Sequence, residues 1–101
     1  MTIPLFITLL GALTMWAPPV RRTVNIELFK FQPAVVQAAV GDTIVWVNKD
    51  IVVHTATATD KSWDSGEIAA KKRGITIARK KGAQDFICLL HPSLKGKLIV
   101  R

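Results

Sequence analysis

Short runs in which apolar and polar residues alternate, separated by turn-forming residues, make up most of the chain from Val20 onward. In residues 23–29, for example, the alternation places Val24, Ile26 and Leu28 on one face. A period of two residues is the pattern of a half-buried strand, and repeated short strands with regular turns are typical of a sandwich. Similar runs cover residues 34–40, 43–48, 52–57, 74–78, 84–88 and 97–100. The pattern predicts an all-β fold, an antiparallel Greek-key β-sandwich of about seven to eight strands.

Residues 1–17 differ from the rest of the chain because they are uncharged and almost entirely apolar. Their length suits a secretory signal with Ala17 at the cleavage point, and it is close to the minimum for a membrane span. However, no basic residue precedes this segment and Arg21 and Arg22 follow it, which opposes the usual orientation bias. An uncleaved anchor, or a start site assigned within a longer signal, therefore stays open. We expect a signal peptide or N-terminal membrane anchor at residues 1–17, one domain at residues 20–101, and a periplasmic or other extracytoplasmic location.

Composition limits the chemistry of this domain. A chain of 101 residues with 50% apolar and 21% charged residues fits one compact domain and argues against disorder. A single cysteine excludes an intrachain disulfide framework, a Cys-rich zinc module and an iron–sulfur cluster. Together with two histidines, that cysteine completes the short set of soft metal ligands, which are His54, Cys88 and His91.

The spacing of these three residues favours a shared metal ion. Cys88 and His91 are three positions apart on a predicted loop between two strands, and His54 lies 34 residues earlier at another strand end. Taken singly, a buried cysteine or histidine is more often a core residue. Two imidazoles and one thiolate, however, form the trigonal ligand set of blue-copper electron-transfer sites. Zinc accepts the same donors, but a structural zinc site needs a fourth ligand, which only an aspartate or glutamate can supply here.

Five blocks of the sequence, in order, carry a resemblance to a known family. They are Phe31-Gln32-Pro33, residues 41–50 (GDTIVWVNKD), His54-Thr55, Asp64-Ser65-Gly66 and residues 88–100 (CLLHPSLKGKLIV). In these blocks the chain resembles the small type 1 (blue) copper proteins of the cupredoxin family, and among them the amicyanin-like and plastocyanin-like members. The resemblance covers roughly residues 24–100 and implies a cupredoxin-like sandwich.

The resemblance implies that one type 1 copper ion is bound by His54, Cys88 and His91 as equatorial ligands. The axial methionine of the family falls at position 94, where this chain has Leu94. Because leucine offers no donor atom, we expect a three-coordinate site unless a water or a backbone carbonyl completes it. Loss of the axial donor favours Cu(I), so the reduction potential should exceed that of a Leu94→Met variant.

Three further residues are predicted to surround the ligands. Pro92 has no backbone N–H and cannot donate a hydrogen bond to the Cys88 sulfur. The resemblance implies that the backbone N–H of Thr55 donates to that sulfur instead. It also implies that Asn48 ties the His54 segment to its neighbours.

The predicted function is electron transfer: a non-enzymatic carrier that shuttles single electrons between extracytoplasmic redox partners. Two basic runs, residues 71–73 and 79–81, flank one predicted strand. They form either a solvated edge that prevents aggregation or a surface that steers the protein toward an acidic partner or an anionic membrane. No nucleic-acid-binding motif accompanies the sequence pI of about 10.1. We expect a monomer whose redox partners present an acidic docking surface.

Two alternatives stay open at this point. A cupredoxin-fold protein with an altered axial position can serve copper capture or delivery instead of electron transfer. A metal-free β-sandwich can serve as an interaction module, and in that case Cys88 is an ordinary core residue.

Overall fold

A computed structural model describes residues 18–101, which form eight β-strands in two four-stranded sheets. The strands are β1 Arg21–Glu27, β2 Lys30–Gln32, β3 Val35–Ala38, β4 Thr43–Asn48, β5 Thr57–Ala58, β6 Arg73–Ile77, β7 Gly82–Ile87 and β8 Lys95–Val100. The described range contains no α-helix, and hence no helix with the length and apolar character of a membrane span. The all-β class, the sandwich and the predicted strand number are confirmed. The signal or anchor predicted at residues 1–17 lies outside the described residues.

The first sheet has the strand order β2-β1-β4-β6 and the second has the order β3-β8-β7-β5. Both sheets are mixed, because β1 pairs with β4 and β3 pairs with β8 in parallel. The prediction of antiparallel sheets is therefore wrong for these two pairs. Alternation along a strand identifies its buried face but carries no information about the direction of its neighbour. Parallel neighbours need a crossover connection. Along the chain from β1 to β4, that connection passes through β3, which belongs to the second sheet.

The core lies between the two sheets and is centred on aromatic side chains. Trp46 on β4 and Phe86 on β7 are fully buried, and their ring centroids are 5.0 Å apart. Phe31 contacts both rings edge-on, while Trp63 stacks on Trp46 from the loop that follows β5. Gly96 on β8 provides room for Phe86, because a Cβ at that position would contact the phenyl ring and the carbonyl oxygen of Ala34. These ring contacts therefore fix how the two sheets pack against each other.

The buried carboxylate of Asp42 fixes the backbone just before β4. It accepts hydrogen bonds from the backbone N–H groups of Ala39 (2.9 Å) and Val20 (3.0 Å) and from Arg22 Nε (3.3 Å). These donors, the backbone groups first, lower the pKa of the Asp42 carboxyl below its usual value although burial opposes them.

The first strand ends earlier than the alternation predicts. β1 stops at Glu27, because Leu28 and Phe29 adopt left-handed backbone angles with φ of 54° and 56°. Leu28 is 76% exposed, so the prediction that it continues the buried face of Val24 and Ile26 is wrong. Non-glycine residues enter this region only when surrounding contacts hold them there.

Candidate metal centre

His54, Cys88 and His91 meet at the rim of the sandwich. One donor atom from each side chain can be chosen so that all three lie within 4.8 Å of one another. Cys88 Sγ is 3.6 Å from His54 Nδ1 and 3.7 Å from His91 Nδ1. Cys88 and His54 are fully buried, whereas His91 is half-buried. The structure therefore brings together the three soft ligands that the sequence singled out.

The loop between β7 and β8, residues 88–94, positions Cys88 and His91. Its ends are joined by a hydrogen bond from Cys88 N to Leu94 O (3.0 Å). Inside the loop, Leu94 N donates to His91 O (2.9 Å) and His91 N donates to Cys88 O (3.3 Å). Such a tight turn directs Sγ and the His91 ring to the same side. Leu94, the residue predicted at the axial position, is 3% exposed and packs in the same core cluster as Cys88.

His54 is positioned from the first sheet by its backbone and by Asn48. His54 exchanges two backbone hydrogen bonds with Ile68, at 3.1 and 2.7 Å. Asn48, at the end of β4, donates from Nδ2 to the carbonyl oxygens of Val52 (2.7 Å) and Ile68 (2.9 Å). Its Oδ1 accepts the N–H of Asp50 at 3.0 Å. Asn48 thus joins β4 to both segments that carry and support His54.

The Cys88 sulfur accepts a hydrogen bond from the backbone N–H of Thr55 at 3.3 Å. The hydroxyl of Thr55 accepts the N–H of Leu89 at 2.9 Å, so one residue contacts both the sulfur and the loop that carries it. Pro92 lies exposed in that loop and has no N–H to offer.

Two residues that the sequence analysis did not single out lie against the imidazoles. Asp50 Oδ2 is 2.8 Å from His54 Nε2, and its side chain is only 11% exposed. Burial raises the pKa of the Asp50 carboxyl, but hydrogen bonds from His54, Phe29 and Leu28 outweigh burial and lower it overall. The ring of Phe29 meets His54 and His91 edge-on, with centroid distances of 5.2 and 5.0 Å. The polar, turn-forming residues 48–50 are the signal in the sequence that could have pointed to Asp50, whereas alternation placed Phe29 in a strand.

The carboxylate of Asp50 determines which nitrogen of His54 is available. An ionised carboxylate only accepts hydrogen bonds, so the 2.8 Å contact requires the proton to sit on Nε2. In the neutral imidazole the lone pair is then on Nδ1, the nitrogen that faces Cys88 Sγ. A carboxylate partner of this kind is the usual support of a metal-binding histidine.

The two sulfur–nitrogen distances fit a trigonal metal site. First-row metal ions bind nitrogen at about 2.0 Å and thiolate sulfur at about 2.3 Å, so a trigonal plane separates sulfur from nitrogen by about 3.7 Å. The observed separations are 3.6 and 3.7 Å. A buried thiolate with two imidazoles is the donor set preferred by copper in blue-copper sites. The residues present therefore fit a type 1 copper ion.

The sequence of the chain is similar to those of known copper proteins named amicyanin. No protein-family model matches the chain. Two amicyanins, from Paracoccus versutus and Paracoccus denitrificans, are 29% and 26% identical to it over 82 residues each. The alignments cover 76% of this chain but only 62% and 63% of the two amicyanins, so the chain spans less than two thirds of their length.

Solved structures match at the level of the fold. A purple cupredoxin from Nitrosopumilus maritimus gives a TM-score of 0.73 at 20% identity, covering 79% of this chain and 99% of that protein. An oxidized mutant of amicyanin gives 0.73 at 22% identity, covering 79% and 81%. The described part of the chain has the cupredoxin-like fold. The same fold also forms part of a copper-containing nitrite reductase from Thermus scotoductus. The match has a TM-score of 0.73 at 26% identity and covers 84% of this chain and 23% of the enzyme.

The surface of the cupredoxin-like domain around His91 is apolar. Leu89 and Leu90, in the same loop, are 44% and 48% exposed, and Phe29 is 50% exposed beside the ring. Two runs of basic residues, 71–73 and 79–81, lie at the start of the edge strand β6 and just after its end. The half-buried histidine is therefore approached through an apolar collar.

Proposed function

We propose that the chain is a type 1 copper electron-transfer protein in which His54, Cys88 and His91 hold a single copper ion. The observation that carries the proposal is the pair of sulfur–nitrogen separations, 3.6 and 3.7 Å, in a buried site of one thiolate and two imidazoles. Bound copper supplies a one-electron couple between Cu(II) and Cu(I). The fold supports a carrier because both sheets fix the donors and leave little freedom for rearrangement between oxidation states.

The residues around the site have different roles in the proposed electron transfer. His54 and Cys88 are shielded from solvent, whereas the half-buried His91 lies beneath the apolar collar and provides the exit for the electron. Thr55 stabilises the thiolate by donating its N–H to Sγ. We propose that Leu94 stands in the axial position, where its lack of a donor favours Cu(I) and raises the reduction potential.

Electron exchange rather than substrate turnover is the proposed activity. A groove of about 310 Å³ in the described residues is lined by residues 62–64, 75–77, 79 and 80 and contains none of the three ligands. The partners we propose are redox proteins that present an acidic surface, since the chain carries a net charge of +7. We propose that the protein lies outside the cytoplasm, in keeping with the apolar segment at residues 1–17. We also propose that it is a monomer.

The test is spectroscopic. Adding one equivalent of Cu(II) to purified protein should give an intense visible band from thiolate-to-copper charge transfer, with a matching paramagnetic-resonance signal. Cys88→Ser should abolish the band, while Ser93→Ala, an exposed change in the same loop, should leave it unchanged. A redox titration and electron exchange with a cytochrome then separate a carrier from a copper-delivery protein, which would lose its copper reversibly and exchange electrons poorly. A colourless protein with a freely alkylated Cys88 would contradict copper binding altogether.

A further inference from the structure

The turn that follows β1 has an unusual conformation beside the metal centre. Leu28 and Phe29 are consecutive non-glycine residues with left-handed backbone angles. Each such residue costs about 1 kcal/mol or more, and two together persist only where other contacts hold them. Strain of this kind often marks a segment whose position matters for function.

Asp50 supplies the contacts that hold this turn. Its Oδ1 accepts the N–H of Leu28 at 2.7 Å, and its Oδ2 accepts the N–H of Phe29 at 3.1 Å. The same Oδ2 accepts the Nε2–H of His54 at 2.8 Å. One carboxylate therefore joins a strained turn of the first sheet to a fully buried imidazole.

Phe29 extends this connection to the second imidazole. Its ring is perpendicular to the rings of His54 and His91, at 88° in both cases. The centroids of these three rings are 5.0, 5.1 and 5.2 Å apart, a nearly equilateral arrangement. Edge-to-face packing at such distances is favourable. His91 comes from the loop after β7, so Phe29 links the end of β1, in the first sheet, to the ligand on that loop.

Resting on the proposed function, we infer that Asp50 and Phe29 form a clamp that keeps both imidazoles in their metal-binding orientation before the metal arrives. Asp50 is a positioning residue: it fixes the Nε2–H tautomer of His54 and holds the left-handed turn. Phe29 is also a positioning residue, because its ring restrains His91, the more exposed ligand. The clamp preorganises a site that has no donor at Leu94 to help gather the ion.

Two variants separate the two halves of the clamp. Asp50→Asn retains the size of the side chain but has one acceptor oxygen, so it cannot serve both Leu28 on one side and His54 with Phe29 on the other. Its matched control is Asp60→Asn, which makes the same change of charge at an exposed turn. Phe29→Ala removes the ring, and its control is Leu28→Ala, at the adjacent left-handed position with a 76% exposed side chain.

The full chain and each variant are titrated with Cu(I) against a chromophoric chelator. Loss of a supporting partner typically lowers metal affinity by about 10–100-fold, which we expect for Asp50→Asn. Phe29→Ala should lower it by about fivefold or more, because two edge contacts are lost. Both controls should stay within about twofold of the unmodified protein. Thermal unfolding of every variant shows whether the fold is intact, and if Asp50→Asn fails to fold, Phe29→Ala decides.

Nitrogen-15 spectra of the metal-free protein provide a readout that does not depend on copper. The His54 Nε2–H should exchange slowly, and this protection should be reduced in Asp50→Asn, whose neutral amide oxygen is a weaker acceptor than a carboxylate, but retained in Phe29→Ala. In Phe29→Ala the His91 ring should sample more than one orientation. Folded variants that bind Cu(I) like their controls, with unchanged imidazole spectra, would overturn the clamp. Failure of the unmodified protein to bind copper would instead overturn the proposed function.

Discussion

Replacing Asn48 with alanine should destabilise the metal-free protein strongly, because this side chain joins three segments around His54. Asn48 is fully buried, and it makes hydrogen bonds of 2.7 Å to Val52 O, 2.9 Å to Ile68 O and 3.0 Å to the N–H of Asp50. A net contribution of about 1 kcal/mol for each bond gives about 3 kcal/mol. Ile68 O keeps the N–H of His54 as a partner, which limits the penalty at that carbonyl.

The expected loss of about 2–4 kcal/mol is a large share of the roughly 5–15 kcal/mol that stabilises a domain. Urea unfolding of metal-free protein measures it, because bound metal would add stability of its own and hide the difference. Asn25→Ala is the matched control, since Asn25 lies half-buried on the face of β1 opposite Val24 and Ile26. A change below about 1 kcal/mol for Asn48→Ala, or one equal to the control, would refute the view that these bonds hold the His54 segment in place.

Three other substitutions or conditions give separate tests. Leu94→Met should lower the reduction potential of the copper-loaded protein in a redox titration, since it adds an axial donor that favours Cu(II); an unchanged or higher potential would contradict the axial assignment. Gly96→Ala should destabilise by about 1–3 kcal/mol or more in urea unfolding, because the new methyl group overlaps the Phe86 ring; wild-type stability would show that the core yields there. The lowered pKa of Asp42 means that its stabilising contribution is complete above the usual carboxyl pKa of 3.8 and is lost as the pH falls below it. Unfolding midpoints should therefore fall on acidification below about pH 4, and less steeply in a folded Asp42→Asn variant; equal slopes would contradict this role.

Much of the sandwich follows from local pattern, because burial on one face of a strand leaves a period of two in the sequence. β4 was predicted at residues 43–48 and is observed there, since β-branched and aromatic residues fill the strand and Gly41 and Asn48 bound it. Strand direction was not predictable in this way. The parallel pairs β1–β4 and β3–β8 depend on how the chain crosses between sheets, which no single run of residues records.

The three soft ligands were singled out by their scarcity and spacing, and the resemblance to cupredoxins implied that they meet. The residues that position His54 were harder to predict from the sequence. Asp50 lies in an ordinary polar turn, and its role appears only when the backbone of Leu28 and Phe29 is seen to turn toward it. Phe29 was placed in a strand as the last residue of the alternating run 23–29, whereas the tertiary contacts with Asp50 end that strand at Glu27.

The central place of β8 in the second sheet constrains when the site can form. Lys95–Val100 pairs with β3 on one side and with β7 on the other. The loop at residues 88–94, next to that strand, is closed by the backbone hydrogen bond from Cys88 N to Leu94 O. A chain made from its amino end cannot complete this sheet until residues 95–100 have been synthesised, so its slow, long-range pairing comes last. Copper loading must therefore follow synthesis of the whole domain. A chain interrupted before residue 95 would leave the Cys88 thiol unprotected and open to oxidation in place of metal capture.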